Sequence, residues 1–339
     1  MPHGPAARYL QAASPRRGQR HGVPAACAVT RTPRTPVAAT GADRAKRFVA
    51  SPPRTAAAPR QRPRAYTVAL RKPRRAAISA ATIKTRIADG VLHVLIDRAA
   101  KRNALAQAVL GELGDAFRAH AADADLRLAV VRGAGERCFA AGGDLHEFEG
   151  LREPDAVREM NRFSTAALDT IRDFPVPVVA AMNGDAIGGG GELALACDMR
   201  VFARHARLGF VQGQMCISTA WGGGADLMRV AGPATALRML TRAEFIAAEQ
   251  ARVLGLADAV QDADEDFEQA LERYLAPMRE RKPHIMRAYK TLARTARQDD
   301  AWRAVRAAEP ALLESTWLHD DHWAASAAAI ARIAAKKNA

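Results

Sequence analysis

The stretch "VPVVAAMNGDAIGGGGELALACD", Val176–Asp198, contains two kinds of local order joined by glycine. Val176 to Met182 is a short apolar run rich in valine, the composition of a buried strand. Glu192 to Cys197 is an acid followed by an apolar run and reads as the start of a helix. Four consecutive glycines, Gly188–Gly191, stand between them. Glycine here lets the chain turn sharply and brings backbone N–H groups close to a ligand. The first amides of a helix have no intrahelical partner and favour negative charge. Three uses fit such a junction. It could hold a phosphate, but a phosphate loop needs Lys and Ser/Thr where Glu192 stands, and a dinucleotide fingerprint needs its acid about 20 residues further on. It could serve close packing, with Glu192 complementing the helix dipole. It could also hold an oxyanion, a carbonyl oxygen gaining charge in a reaction, with Glu192 moving a proton nearby.

An oxyanion is seldom held by one donor, so a second loop of the same kind is expected. "FAAGGDL", from Phe139, follows the buried strand "LRLAVVRGAG" and is rich in small residues. The rest of the chain alternates in the same way. "TRIADGVLHVLIDR" alternates around an Asp89-Gly90 turn and reads as a hairpin. Leu105, Val109, Leu113 and Phe117 recur at helical spacing. "EPDAVREMNRFSTAALDTIRDF" is a helix with Pro154 near its start. "DMRVFARHARLGF" reads as strand and turn, "GGADLMRVAG" as a helix, and "GPATALRMLTRAEFIAAEQARVLGLADAVQ" as two helical runs before a short strand. Alternating strands and helices define an α/β class. From about Asp264 the chain is almost wholly helical. We therefore divide it into a basic tail (1–80), an α/β core (81–263) and a C-terminal helical region (264–339).

The 339 residues, 49% of them hydrophobic, suffice for a substantial core. The formal net charge of +14 is unevenly spread: residues 1–80 carry 17 of the 50 Lys and Arg and a single acid, Asp43. That tail, rich in Arg, Pro and Ala, reads as disordered; it fits a presequence, a basic arm or a start site placed too early. The remaining chain is nearly neutral, which argues against nucleic acid as the core's partner. There is no run of about 20 apolar residues to span a membrane and no apolar signal segment. The four cysteines show no metal spacing, no metal is expected, and reduced thiols point to the cytoplasm. Cys138 and Cys197 flank buried segments and read as packing residues. No serine-hydrolase elbow or zinc-protease helix motif is present.

Five motifs together, "KRNAL" (Lys101–Leu105), "VVRGAGERCFAAGGDL", "PVPVVAAMNGDAIGGGGELALACDMRVFA", "WGGGADLMRVAG" and "AAEQARVLGLADAV", resemble the crotonase superfamily, the enoyl-CoA hydratase/isomerase family, in order and spacing. The resemblance implies a crotonase-like spiral of ββα units with a C-terminal helical oligomerisation region, forming a homotrimer or a dimer of trimers. It implies an acyl-CoA thioester as substrate, with coenzyme A part of the substrate and no separate cofactor. It places the oxyanion amides at Gly143 and Gly189 and a catalytic carboxylate at Glu192. It lays Lys101, Arg102, Ala141 and Asp144 along coenzyme A, with Lys290 as a further phosphate partner, and puts His146 and Trp221 beside the acyl pocket. Read by themselves, Asp144 and Asp198 instead hold turns, and His146 is a polar loop residue.

Gln212 departs from the family pattern. Hydratases of the family use a second glutamate about twenty residues after the first, and Gln212 falls at that position. An amide can hold water but does not exchange protons near neutral pH. Glu192 then works alone, which suits double-bond isomerisation or decarboxylation of a methylmalonyl- or ethylmalonyl-type CoA better than hydration. Trp221 also resembles a residue of ethylmalonyl-CoA decarboxylase-like members. The competing class is an RNA-binding protein that uses the basic tail, although Tyr9, Phe48 and Tyr66 are few aromatics for stacking on bases.

Overall fold

The structure, a computed structural model, describes residues 82–338; the basic tail expected over 1–80 lies outside the described residues. Asp89 and Gly90 both take positive φ, 50° and 72°. They fold β1 (Ile83–Ala88) back onto β2 (Val91–Ile96) in the expected antiparallel hairpin. The helix read at Leu105–Phe117 is α1 (Gln107–His120), which buries Val109, Leu113 and Phe117.

Beyond α1 the chain lays down strands in pairs. β3 (Leu128–Gly133) is followed by β4 (Cys138–Ala140), β5 (Val178–Met182) by β6 (Asp185–Ile187), and β7 (Met199–Phe202) by β8 (Arg207–Gly209). The first strand of each pair joins a six-stranded sheet, β1-β2-β3-β5-β7-β10, and the second joins a four-stranded sheet, β4-β6-β8-β9. Helices return the chain between pairs: α2 (Leu145–Phe148) and α3 (Pro154–Arg172), then α4 (Gly189–Ala196), then α5 (Gly223–Ala231) and α6 (Pro233–Arg242). β9 (Phe245–Ala247), α7 (Ala248–Val253) and β10 (Ala259–Val260) close the two sheets. This repeat is the spiral of ββα units that the motifs implied.

Every residue of β5 is buried, as a parallel strand covered on both faces requires, so its sequence shows no alternation. One face packs on the main core; on the other, Val91, Leu128 and Val130 meet Leu271 and Leu275 of α8 (Phe267–Arg279). Three further helices, α9 (Pro283–Arg297), α10 (Asp300–Trp317) and α11 (Asp320–Asn338), complete the helical C-terminal region. α10 lies against α3 and α5, and α11 against a 3-10 turn at Gln212–Met215. No helix among the described residues is long and apolar enough to cross a membrane.

Two segments differ from the sequence reading. "CFAAGGDLHEF", expected as a loop, contains β4 and α2, and the helical run around "AEFIAA" is broken by β9. Three-residue strands show no periodicity of their own. Parallel or antiparallel partners hold them: β6 for β4, and β8 for β9.

Candidate active site

The two glycine loops meet because β4 and β6 are parallel neighbours, so the loops after Ala140 and Ile187 leave the sheet at the same edge. Their backbones touch there. A Cβ on Gly142 would stand 2.6 Å from the Ile187 carbonyl oxygen and 3.1 Å from the Gly189 nitrogen. Gly190 is tighter still: its Cβ would fall 1.9 Å from the Ala140 carbonyl oxygen. Gly188 takes φ +55°, the left-handed turn that starts α4. Gly189 is the first residue of α4, so its N–H has no intrahelical partner.

Gly143 and Gly189 line one cavity of about 220 Å³ together with Glu192, Gln212 and Trp221. Arg102 and Ala141 line it on the side of the first loop. The "KRNAL" segment pairs with that loop as a short backbone ladder: Ala141 N donates to Arg102 O at 3.1 Å, and Leu105 N to Gly142 O at 2.7 Å. Asn103 ties the same ladder to β4 by donating to the Cys138 carbonyl at 2.7 Å.

Glu192 is 2% exposed, and both of its oxygens are held. Oε1 accepts from Gln212 Nε2 at 2.9 Å and from Ala220 N at 3.3 Å. Oε2 accepts from Trp221 N at 2.7 Å and from Gly223 N at 3.0 Å. A carboxylate has about four acceptor sites, so the set is full. Burial pushes the Glu192 carboxyl above its ordinary range; the four donors oppose this, and burial prevails. Gln212 thus meets Glu192 directly, and its own Oε1 is buried without a hydrogen-bond partner in the protein.

The loop Thr219–Gly224 that supplies these amides is braced from behind. Arg172 Nη2 donates to Trp221 O at 2.8 Å, and Arg172 Nε to Asp226 at 2.8 Å, with both side chains buried. Burial works against the charge on each, but the pairing wins: Asp226 is held below the ordinary carboxylate range and Arg172 above the ordinary guanidinium value.

A second buried carboxylate stands beside the first, and the sequence reading did not find it. Glu309 of α10 accepts at Oε1 from Thr219 Oγ1 and from Gly224 N, both at 2.8 Å. Its Oε2 is buried without a partner. Burial and then the neighbouring Glu192 charge push its carboxyl up to about 7. Glu309 does not line the cavity with Glu192; it borders a surface cavity with Arg158, Arg306 and Asp169 on the far side of the loop. An acid 117 positions beyond Glu192, in an alanine-rich helix, gives no sequence signal of this placement.

Several expected site residues stand elsewhere. His146 is exposed on α2 and does not line the cavity, because Leu145 and Phe148 turn inward in its place. Asp144 also lies off the cavity: its carboxylate is drawn to Arg98 at 2.9 Å. Lys101 is exposed and outside the lining, so of the two bases only Arg102 reaches it. Lys290 is 3% exposed and pairs with Asp198 at 2.6 Å, which leaves it no access to a phosphate. Asp198 is not held to its own turn: its carboxylate accepts from Val178 N at the start of β5, at 2.8 Å, and ties that strand to Lys290 of α9. Cys138 and Cys197 are buried and burial pushes both thiols up to about 12, as packing residues. The inner wall was missed altogether: Leu313 and Trp317 of α10, and His322, Trp323 and Ser326 of α11, line the cavity. The cluster "WLHDDHW" was its available signal.

Fold and site together define an α/β spiral in which two glycine loops and one buried glutamate face a common cavity. The family described as enoyl-CoA hydratase/isomerase matches residues 86–329, and the chain belongs to it. It is 34% identical to the 2,3-dehydroadipyl-CoA hydratase of Escherichia coli over 61% of this chain and 80% of that protein. It is also 34% identical to the mouse mitochondrial enoyl-CoA hydratase domain-containing protein 2, over 58% of this chain. That alignment spans 66% of the mouse protein, just under two thirds. An enoyl-CoA hydratase from Bacillus anthracis superposes with a TM-score of 0.61 at 30% identity, covering 66% of this chain and 87% of that one.

Proposed function

We propose that the chain is an acyl-CoA enzyme that moves a proton at the α-carbon of a thioester, with Glu192 as its single proton carrier. The observation that carries this reading is that Glu192 is the one carboxylate lining the cavity onto which Gly143 and Gly189 open, among the described residues. The thioester oxygen accepts from the Gly143 and Gly189 amides and becomes negative as the α-proton leaves. Arg102, at the first loop, meets the coenzyme A side of the substrate. Glu192 must free an acceptor site to take the proton. Three of its donors are backbone amides, while Gln212 is a side chain, so rotation of Gln212 opens Oε1.

One carrier suits a 1,3-proton shift, in which the same carboxylate takes a proton from one carbon and returns it two carbons on. Hydration is the second reading. Its support is the buried, unpartnered Gln212 Oε1, an acceptor able to orient a water, together with the hydratase names of the relatives. Subunit association through the C-terminal helices belongs to the same proposal. Incubation with 2-enoyl-, 3-enoyl-, methylmalonyl- and ethylmalonyl-CoA, with products identified by mass, tests it. Interconversion of 2- and 3-enoyl thioesters is expected. A 3-hydroxyacyl product decides for hydration and loss of CO₂ for decarboxylation; no reaction with any of the four overturns the proposal.

A further inference from the structure

The inner wall of the cavity carries one ring nitrogen that the proton-transfer reading does not use. His322 is 3% exposed and lines the cavity from α11. Its Nδ1 lies 2.7 Å from the Met215 carbonyl oxygen. A carbonyl only accepts, so Nδ1 carries the proton, and a neutral imidazole then presents Nε2 as an acceptor. Burial holds the imidazole below its ordinary range, which keeps it neutral. Nε2 has no hydrogen-bond partner among the described residues and is not enclosed by protein. Ser326, four residues on and therefore on the same helical face, lines the cavity beside it.

The wall on this side of the cavity is apolar apart from Ser326, and no cation belongs to it. Phe148, Met160, Met215, Ile217, Leu313 and Trp317 line the same cavity. The Trp317 and Trp323 ring centroids each lie 4.7 Å from that of His322. Arg102 is the one basic side chain in the lining, and it belongs to the glycine-loop side. Arg152 is exposed and outside the lining; its guanidinium carbon stands 3.5 Å over the Trp323 ring centroid, and its charge reaches His322 and lowers the imidazole further. The Trp317 Nε1–H is spent on the Leu151 carbonyl, at 2.9 Å. A carboxylate on the acyl chain would here face aromatic π-clouds and an imidazole acceptor with no cation in the lining to pair with, and a buried unpaired charge is costly. A hydroxyl would meet an acceptor.

We infer that this cavity selects an uncharged, largely apolar acyl group bearing a hydroxyl, which donates to His322 Nε2, and discriminates against acyl groups that end in a carboxylate. The inference rests on the acyl-CoA reading above. It separates this chain from the Escherichia coli relative, whose name denotes a dicarboxylic thioester.

The test compares 2-enoyl-CoA thioesters matched in chain length and ending in methyl, hydroxyl or carboxylate, over a series of lengths, with binding followed by calorimetry. At the length that reaches His322, the hydroxyl compound is expected to bind about tenfold tighter than the methyl compound, the value of one buried hydrogen bond. The carboxylate compound is expected to bind most weakly. His322→Asn keeps a donor toward Met215 O, as Nδ2, and deletes the Nε2 acceptor. It should abolish the hydroxyl preference, read as the ratio of hydroxyl- to methyl-compound affinity within the same variant. Tightest binding of the carboxylate compound, or no hydroxyl preference at any length in the natural protein, overturns the inference whether or not the variant folds. An undiminished preference in a folded His322→Asn protein overturns the role of His322. Binding of none of the thioesters would instead sink the acyl-CoA reading itself.

Discussion

Glu192 and Glu309 hold consecutive backbone amides at the start of one helix. Glu192 accepts from Gly223 N at 3.0 Å and Glu309 from Gly224 N at 2.8 Å. The two carboxylates come from elements far apart in sequence, α4 and α10, and clamp the Thr219–Gly224 loop between them. The Glu192 charge makes that of Glu309 less favourable, and Glu309 holds Thr219 and Gly224 at the two ends of the loop whose amides Glu192 accepts from.

This pairing predicts a pH effect. The Glu309 carboxyl is raised by burial and by Glu192 to about 7, from an ordinary 4.5. Between those values the folded chain binds more protons than the unfolded chain, so stability falls as pH rises through that window. Glu309→Gln keeps an acceptor for Thr219 and Gly224 and removes the titration. Its thermal midpoint should vary less from pH 4.5 to 7 than that of the natural protein, and a step near pH 7 in the kcat/KM profile should vanish. Identical pH profiles in the two proteins would refute the coupling.

Glu192→Gln should lower turnover by ~10²–10⁴-fold, the usual worth of a positioned acid–base group. Thioester binding should survive, since the oxyanion amides are untouched. The variant should be no more stable than the natural protein: a buried charge is removed, but an NH₂ group replaces an oxygen that accepts from backbone N–H groups, and these lose their acceptor. Turnover within a few-fold of the natural protein, measured with a substrate it accepts, would show that another group moves the proton.

The glycine run sorts into positions with different sources of cost. Gly190→Ala drives a methyl to 1.9 Å from the Ala140 carbonyl oxygen, where only a backbone shift makes room. We expect a loss of at least ~1–3 kcal/mol in denaturant unfolding. Gly188→Ala meets nothing closer than 4.0 Å and bears mainly the backbone strain of φ +55° with ψ −115°, about 1–3 kcal/mol. A Gly190→Ala protein as stable as the natural one would mean that the loop contacts are looser than described.

Arg172→Met leaves Asp226 charged, buried and deprived of its partner, though Trp302 Nε1 still donates to it at 3.1 Å. Breaking such a pair costs about 3–5 kcal/mol. The Trp221 carbonyl loses a donor at the same time, so activity should fall together with the melting temperature. A melting temperature unchanged within error would contradict the brace assigned to this pair.

The site's two halves differ in how far the sequence reveals them. The glycine loops, Glu192 and the longer strand before each loop were legible because each is local: a strand, a turn and a helix start within some twenty residues of "VPVVAAMNGDAIGGGGELALACD", whereas the three-residue strands β4, β6 and β9 were not. That Gln212 stands at the second glutamate's position came from the motif spacing of the family; that it donates to Glu192 did not. Glu309, His322 and Trp317 were not legible, since α10 and α11 carry the periodicity of any covering helix and only packing decides which side chains reach the cavity. His146 misled for the converse reason. Two residues from Asp144 places it near the loop in sequence, but the single turn of α2 points Leu145 and Phe148 inward and leaves His146 outside.

Proton exchange between Glu192 and the α-carbon of a bound thioester is the step on which the proposed function stands. Incubation with a saturated acyl-CoA in D₂O, followed by mass analysis, measures that step without requiring net turnover. Deuterium is expected at the α-carbon with the natural protein and only the uncatalysed background with Glu192→Gln. Equal incorporation by both proteins, or no incorporation by the natural protein under conditions where the thioester is bound, would contradict it.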